Sequence, residues 1–434
     1  MSNKTHIMHI TYDMRIGGTE MVIKNIIDGL AYVGRTSVQQ NIPTVHPERE
    51  AVEESPHTAH PEHPADEEPP HSVLPERAAV EEPTHSVRPE RAAVEGFKMS
   101  VLCIESPLGP FAEELQDNGI EFHELNRQPG FDTNLIKQIR HTIKANKVDI
   151  IHCHQYTPWV YGVIAATFTT TKVIFTEHGR FYPDSSTWKR KLINPILNLF
   201  TDQVTAISKA TKDALIEFEN IPEKSIEVIY NGIAPLRVEQ DAATKLRAEL
   251  AIPENHTILG TIARFDPIKN HTMMLKAFSL VLEKQPNTTL IIVGDGEERA
   301  NIEACINQLN ISEKVILTGY QTKPHNFLAL MDIYLLSSLS EGTSMTLLEA
   351  MSLSKPCVVT DAGGNPEIVI DGENGFVTKN DNAEKFAQGI TQTLGSVSNN
   401  NDLGQASKNR FSSHFSEKSM NTKYQNLYTE LKVN

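Results

Sequence analysis

Short apolar runs alternate along this chain with segments whose apolar residues recur every three or four positions. Lys4–Thr11 alternates weakly, as a strand does, and leads into the loop Tyr12–Glu20 with its adjacent glycines Gly17 and Gly18. Met21–Tyr32 then has helical spacing through Val22, Ile26, Ile27 and Leu30. Strand, glycine turn and helix open a βαβ layer, and the two glycines let backbone approach a ligand closely. The rhythm resumes with a strand at Ser100–Ile104, a helix at Phe111–Asn118, a strand at Ile120–Leu125, a helix at Leu135–Ala145 and a strand at Asp149–Cys153. Further strands are predicted at Thr171–Thr176, Gln203–Ser208 and Ile226–Ile233, with a helix at Lys209–Glu219. The polar stretch Leu236–Thr244 reads as a hinge. Beyond it lie strands at Thr257–Ile262, Thr289–Val293, Val315–Thr318 and Met331–Ser338, and a last helix at Ser416–Leu431. The pattern predicts two doubly wound parallel α/β domains, Rossmann-like, facing each other across a cleft.

One segment breaks the rhythm. Residues 41–96 repeat Pro-Glu at Pro47, Pro61, Pro75 and Pro89, a period of 14, and hold ten prolines. Such a composition cannot bury a core, so the segment is expected to be a disordered insert in the first domain. It carries −9 of the formal charge of −15. The acidic balance argues against nucleic acid as a partner. Four scattered cysteines without a CxxC pair, and an N-terminus unlike a signal peptide, suggest a cytoplasmic protein with reduced thiols. No apolar run approaches the roughly 20 residues of a membrane span.

The most informative stretch is Glu341–Glu349, EGTSMTLLE. The apolar run before it is short enough for a buried strand, and LLEAMSLSK after it reads as a helix with Ser344 at the N-cap. Free N–H groups at Met345 and Thr346 would then form an anion site. Glu349 would sit roughly 7.5 Å up the helix. A diphosphate at the cap would bring an attached ribose to that carboxylate, and Glu341 could reach what hangs from the other phosphate. Two glutamates near a helix start also fit a plain charged surface, where acids are favoured.

The spacing Glu341–x7–Glu349, together with KPCVVTDAGGNPEIVIDGENGFV from Lys355 to Val377, resembles the retaining GT-B glycosyltransferases of family 4. The resemblance covers nearly all of the chain except residues 41–96. It implies that Glu349 binds the ribose of a nucleotide sugar, a UDP-sugar by preference, and that Glu341 binds the sugar. Thr343, Ser344, Met345 and Thr346 would surround sugar and phosphate. ARFDPIKN places Arg264 and Lys269 on one loop, where two cations would clamp the diphosphate as it leaves. Gly319 and Tyr320 fall where the family holds the nucleobase. TEHG places His178 at the reacting centre. The resemblance further implies a first domain over residues 1–235 for the acceptor, a second over 236–415 for the donor, and a helix from 416 to 434 crossing back.

The remaining motifs are weaker. His152-Cys153-His154 ends a strand and is read as polar residues facing the cleft, not as metal ligands; the family uses no metal for its chemistry. GDG at Gly294–Gly296 lacks the third glycine of a dinucleotide fingerprint, which disfavours a nicotinamide oxidoreductase. Trp188–Phe200 mixes cations with an apolar run and could rest on an anionic membrane or form a core helix. The expected activity is sugar transfer to a glycan or polyprenyl-linked acceptor in bacterial surface polysaccharide synthesis. The alternatives are a phosphorylase or nucleotide-sugar epimerase on the same fold, or a non-catalytic scaffold using the acidic repeat.

Overall fold

Every strand of the two sheets runs parallel to its neighbours in a computed structural model that describes residues 4–15, 17–31, 96–179, 187–239, 241–398 and 402–433. The repeat segment, read as a disordered insert, lies outside the described residues up to position 95. The first sheet contains β1 (His6–Thr11), β2 (Lys98–Cys103), β3 (Glu121–Glu124), β4 (Ile150–His154), β5 (Lys172–Glu177), β6 (Gln203–Ala206) and β7 (Ile226–Val228). Its order is β3-β2-β1-β4-β5-β6-β7. The second contains β8 (Thr257–Ile262), β9 (Thr288–Val293), β10 (Val315–Gly319), β11 (Ile333–Leu336), β12 (Cys357–Thr360) and β13 (Gly375–Thr378). Its order is β10-β9-β8-β11-β12-β13.

Helices cover both faces of each sheet, so central strands such as β1 and β9 are buried along their whole length. Alternation divides the first sheet between two cores. Met8, Ile10, Ile151 and Phe175 face one, and Ile7, Ile150 and Ile174 face the other. The helix Glu417–Val433 seals the second of these with Tyr424 and Tyr428 and packs on the helix Gly18–Leu30. A Cβ at Gly29 would collide with the Asn421 amide, so the glycine permits this close approach.

Three departures from the expected elements have physical causes. The helix Tyr156–Ala166 is buried around most of its circumference, so its residues carry no amphipathic period. The helix Ala242–Glu249 begins inside the expected hinge, fully buries none of its residues and presses only Ala243 and Leu246 against the second core, too few for a clear stripe in the sequence. The strand expected to run to Ile233 ends at Val228, and the chain turns away until Ile233 pairs with Ser416. None of the described helices is long and apolar enough to cross a membrane.

The two sheets are joined by a carboxylate. Glu367, in the short helix Asn365–Ile368, accepts hydrogen bonds from Lys209 N at 2.8 Å, Ala210 N at 2.9 Å and the Tyr230 hydroxyl at 2.9 Å. Lys209 and Ala210 open the helix Lys209–Glu219, whose N-cap Ser208 takes the next N–H, that of Thr211, at 3.0 Å. A side chain of the second half therefore completes the cap of a helix in the first. Glu367→Ala is expected to cost about 1–2 kcal/mol, the usual value of a lost cap. An unchanged thermal unfolding midpoint would show that this junction does not contribute to stability.

Candidate active site

In a doubly wound sheet, ligands sit at the carboxyl ends of the strands where the strand order reverses. In the second sheet that point lies between β8 and β11. The loop after β8 carries Arg264 and Lys269, and the loop after β11 carries Glu341 to Ser344. The topology thus brings together residues more than seventy positions apart. Lys269 Nζ donates to Glu341 Oε1 at 2.6 Å, and Ser338 Oγ donates to the same oxygen at 2.6 Å. The loops are also stitched through backbone, with Leu339 N on Ile268 O at 2.7 Å and Ser337 Oγ on Lys269 O at 2.8 Å. Behind them, Gly363 has φ +52° and Gly364 N donates to Glu341 O at 3.0 Å. A Cβ at Gly363 would strike the Glu341 carbonyl, so the double glycine lets this turn press on the Glu341 loop.

Ser344 caps the helix Met345–Ser352, its Oγ accepting from Leu347 N at 3.3 Å. Thr346 Oγ1 receives the buried Tyr334 hydroxyl at 2.7 Å. Nearby, Thr343 Oγ1 donates across to Ile207 O in the first half at 3.1 Å. Glu349 lies one turn further along and is half-buried. Burial lifts its carboxyl from 4.5 to about 7. A desolvated carboxylate beside a free helix start suits hydroxyl groups that donate to it, as a ribose does.

The first half closes on this loop from the other side. The His178 carbonyl and Gly179 Cα lie 3.2 and 3.4 Å from where a Cβ on Gly342 would stand. Gly18 begins the helix Gly18–Leu30 with its Cβ direction 3.9 Å from Met345 Cγ, so two helix starts approach each other. Gly17 is the cap position and has Glu20 folded over it. The first sheet reverses its order between β1 and β4, and Gln155 after β4 reaches back to Thr19 after β1 at 3.1 Å.

His152 and His154 are fully buried on β4, where they were expected to face the cleft. They share a sheet face with His9 of β1, and nitrogens of the three lie within 4.8 Å of one another. Metal ligands must aim their lone pairs at one point. Here His9 Nδ1 and His154 Nε2 face each other edge to edge at 2.9 Å, and the His152 ring is tilted against that of His154 at 4.1 Å. His152 also has both nitrogens engaged, by the Tyr428 hydroxyl at 2.8 Å and Thr176 Oγ1 at 2.6 Å. The cluster is held by ring-to-ring hydrogen bonds and tilted ring packing.

Of the residues picked out in the sequence, His178, Lys269, Glu341, Thr343, Ser344, Met345 and Thr346 gather at one place, with Glu349 a helical turn away and Gly17 and Gly18 opposite. Arg264 shares the loop of Lys269, but its side chain is 76% exposed and pairs with Asp266. Gly319 and Tyr320 end β10, two strands outward from β8, and the Tyr320 side chain is exposed. At about 4.8 Å per strand they stand roughly 10 Å to the side, the far end of an extended ligand. Ser338, Tyr334 and Glu367 were missed. The first two look like ordinary strand residues, and nothing local in NPEI shows that its glutamate reaches another domain.

The two-sheet fold agrees with comparisons to known proteins. Residues 242–410 match the family model for glycosyl transferases group 1, and residues 90–237 match that for glycosyltransferase family 4. The chain is 26% identical over 329 residues to N-acetyl-alpha-D-glucosaminyl L-malate synthase of Bacillus anthracis, covering 72% of this chain and 84% of that enzyme. It is 26% identical over 317 residues to the Escherichia coli UDP-Gal:alpha-D-GlcNAc-diphosphoundecaprenol alpha-1,3-galactosyltransferase, covering 68% and 80% of the two chains. The crystal structure of Anabaena Alr3699/HepE in complex with UDP matches with a TM-score of 0.75 at 19% identity, over 98% of this chain and 100% of that one. The chain belongs to the family 4, group 1 glycosyltransferases and has their GT-B fold.

The Glu349 carboxyl has a pH consequence with a definite sign. Its folded value of about 7 exceeds the ordinary 4.5, so folding favours the protonated form. Stability is therefore lost as pH rises through that window and stays lost above it. Glu349→Gln should stabilise the ligand-free protein at alkaline pH, by up to about 3 kcal/mol, and should have little effect in acid below the window. Urea titrations at both ends check this; equal effects at the two pH values would contradict it.

Proposed function

We propose that this glycosyltransferase works with retention, moving a sugar from a nucleoside-diphosphate sugar, by preference a UDP-sugar, to a glycan or polyprenyl-linked acceptor of bacterial surface polysaccharide synthesis. The observation that carries the reading is the Lys269–Glu341 pair at 2.6 Å beside the helix start capped by Ser344. Glu349 would accept the ribose hydroxyls. The N–H groups of Met345 and Thr346, with Lys269 and Arg264, would take the charge of the diphosphate as the glycosidic bond breaks. Arg264 would swing from Asp266 to do so. Glu341 would fix the sugar hydroxyls while Lys269 and Ser338 hold its carboxylate in place. With Glu341 so engaged, retention is assigned to a front-face displacement in which the leaving phosphate receives the acceptor proton. Gly319 and Tyr320 would border the base, and Thr343 the sugar. The UDP bound by the Anabaena protein and the diphosphoundecaprenol substrate in the Escherichia coli enzyme's name support donor and acceptor class.

A membrane-borne acceptor also fits the helix Trp188–Asn198, which is built inside out. Its polar Asn194 is buried, with Nδ2 on Glu219 Oε2 at 2.7 Å, while Trp188, Leu192, Ile196, Leu199 and Phe200 are exposed alongside Lys189 and Lys191. Apolar side chains outward with flanking cations suit the interface of an anionic bilayer.

A panel of UDP- and GDP-sugars should contain one that raises the unfolding temperature of the wild type, and Glu349→Ala should lose that shift. The anomeric configuration of the product, read by NMR, tests retention; inversion would sink it. For the membrane reading, the full chain should sediment with phosphatidylglycerol vesicles and much less with phosphatidylcholine alone. Leu192→Glu with Ile196→Glu should abolish this without lowering the unfolding temperature, and equal sedimentation of that variant would remove the helix from the proposal.

A further inference from the structure

Behind His178 runs a chain of rings that the transfer reaction as described does not use. His178 Nε2 is 2.8 Å from His154 Nδ1, and His154 Nε2 is 2.9 Å from His9 Nδ1. The three come from the end of β5, from β4 and from β1, which are neighbours in the sheet. His9 and His154 are fully buried. Desolvation holds His9 and His178 down to about 3 and His154 well below its usual value, so all three rings are neutral near neutral pH. The two terminal nitrogens, His9 Nε2 and His178 Nδ1, are buried and have no partner among the described residues.

Three neutral imidazoles carry one N–H each, on either nitrogen. Each of the two ring-to-ring bonds requires one donor. Only two arrangements satisfy both bonds. In one, every ring is protonated at Nε2, and the spare N–H projects from His9. In the other, every ring is protonated at Nδ1, and the spare N–H projects from His178. A mixed arrangement sets lone pair against lone pair, or N–H against N–H, inside the core, which costs a buried hydrogen bond. The tautomers are therefore locked together across three strands.

We propose that His154 and His9 are positioning residues that fix His178 as an Nδ1–H donor through this relay. The proposal rests on the reading above, since the His178 backbone lies against Gly342 in the loop that would hold the oxygen-rich donor. Phosphate and hydroxyl oxygens present lone pairs, and once a ligand uncovers the buried His178 Nδ1, an N–H there would donate to them where a bare nitrogen would repel them. His9 is fully buried on β1, yet through the relay its tautomer is tied to whether His178 Nδ1 carries a proton. His152 takes no part in the relay, since Thr176 and Tyr428 occupy its nitrogens. It packs against the middle ring at 4.1 Å and keeps water from it.

The test is ring-15N NMR on the full chain with labelled histidine, without ligand and with UDP. The three signals are assigned from His9→Gln, His154→Gln and His178→Gln. In the ligand-free wild type, 15N–15N couplings should appear across both ring-to-ring bonds, and the three rings should share one tautomer. With UDP bound, all three should carry the proton on Nδ1. His9→Phe should release the lock, so that the His178 signal shifts toward the Nε2–H form, and His9→Gln, whose amide can donate to His154, should keep it at Nδ1–H. A charged ring at neutral pH, mixed tautomers among the three, or Nε2–H on His178 in the UDP complex would each overturn the proposal. Failure of UDP to bind would instead count against the donor reading, because the couplings in the ligand-free protein test the relay by themselves.

Discussion

A parallel sheet that grows outward in both directions from its first strand must leave a gap between two loops at its carboxyl edge. The rest of this protein depends on that gap in the second sheet, between β8 and β11. It sets the Lys269 ammonium against the Glu341 carboxylate, and it leaves the helix starting at Met345 with its N–H groups turned to the same space. Neither loop could make the site alone. Strand order, decided by which apolar runs pack side by side, is thus a chemical decision as well as an architectural one.

The site is also a place where folding is opposed. Glu349 sits desolvated with its carboxyl lifted to about 7, and the His9–His154–His178 relay ends in two nitrogens without a partner among the described residues. Groups left in this condition cost stability in the empty protein. The cores on both sides of the sheets and the well-satisfied loops behind Glu341 offset that cost. Strain of this kind is expected where a polar ligand completes the hydrogen bonding.

The junction between the halves combines apolar contacts, with Met345 packed on a core of the first sheet and Met21 on one of the second, with several single polar contacts. Glu367 reaches two N–H groups and one hydroxyl, Thr343 reaches the Ile207 carbonyl, and Gly342 leaves just enough room for the His178 loop. Helix caps and single hydrogen bonds contribute modest energies. Together these contacts hold the two halves in register around the Glu341 loop.

The amino-acid sequence by itself determined the alternation of strands and helices, and so the parallel α/β class, because buried strands and amphipathic helices write their periods directly into the chain. It also carried the cap at Ser344 and the Glu341–Glu349 spacing, since a helix converts a local spacing into a fixed distance. Tyr156–Ala166 escaped notice because a helix buried around most of its circumference has no stripe to read, and Ala242–Glu249 because it is short and presses only two apolar residues on the core. The histidines of β4 were visible, but not their neighbour His9 or the relay to His178, because strand adjacency is set by packing and not by sequence order. Likewise only the tertiary structure decided that Lys269 would meet Glu341 and that Glu367 would cap a helix in the other half. Those contacts span seventy to more than a hundred and fifty residues, and no local pattern encodes a partner at that distance.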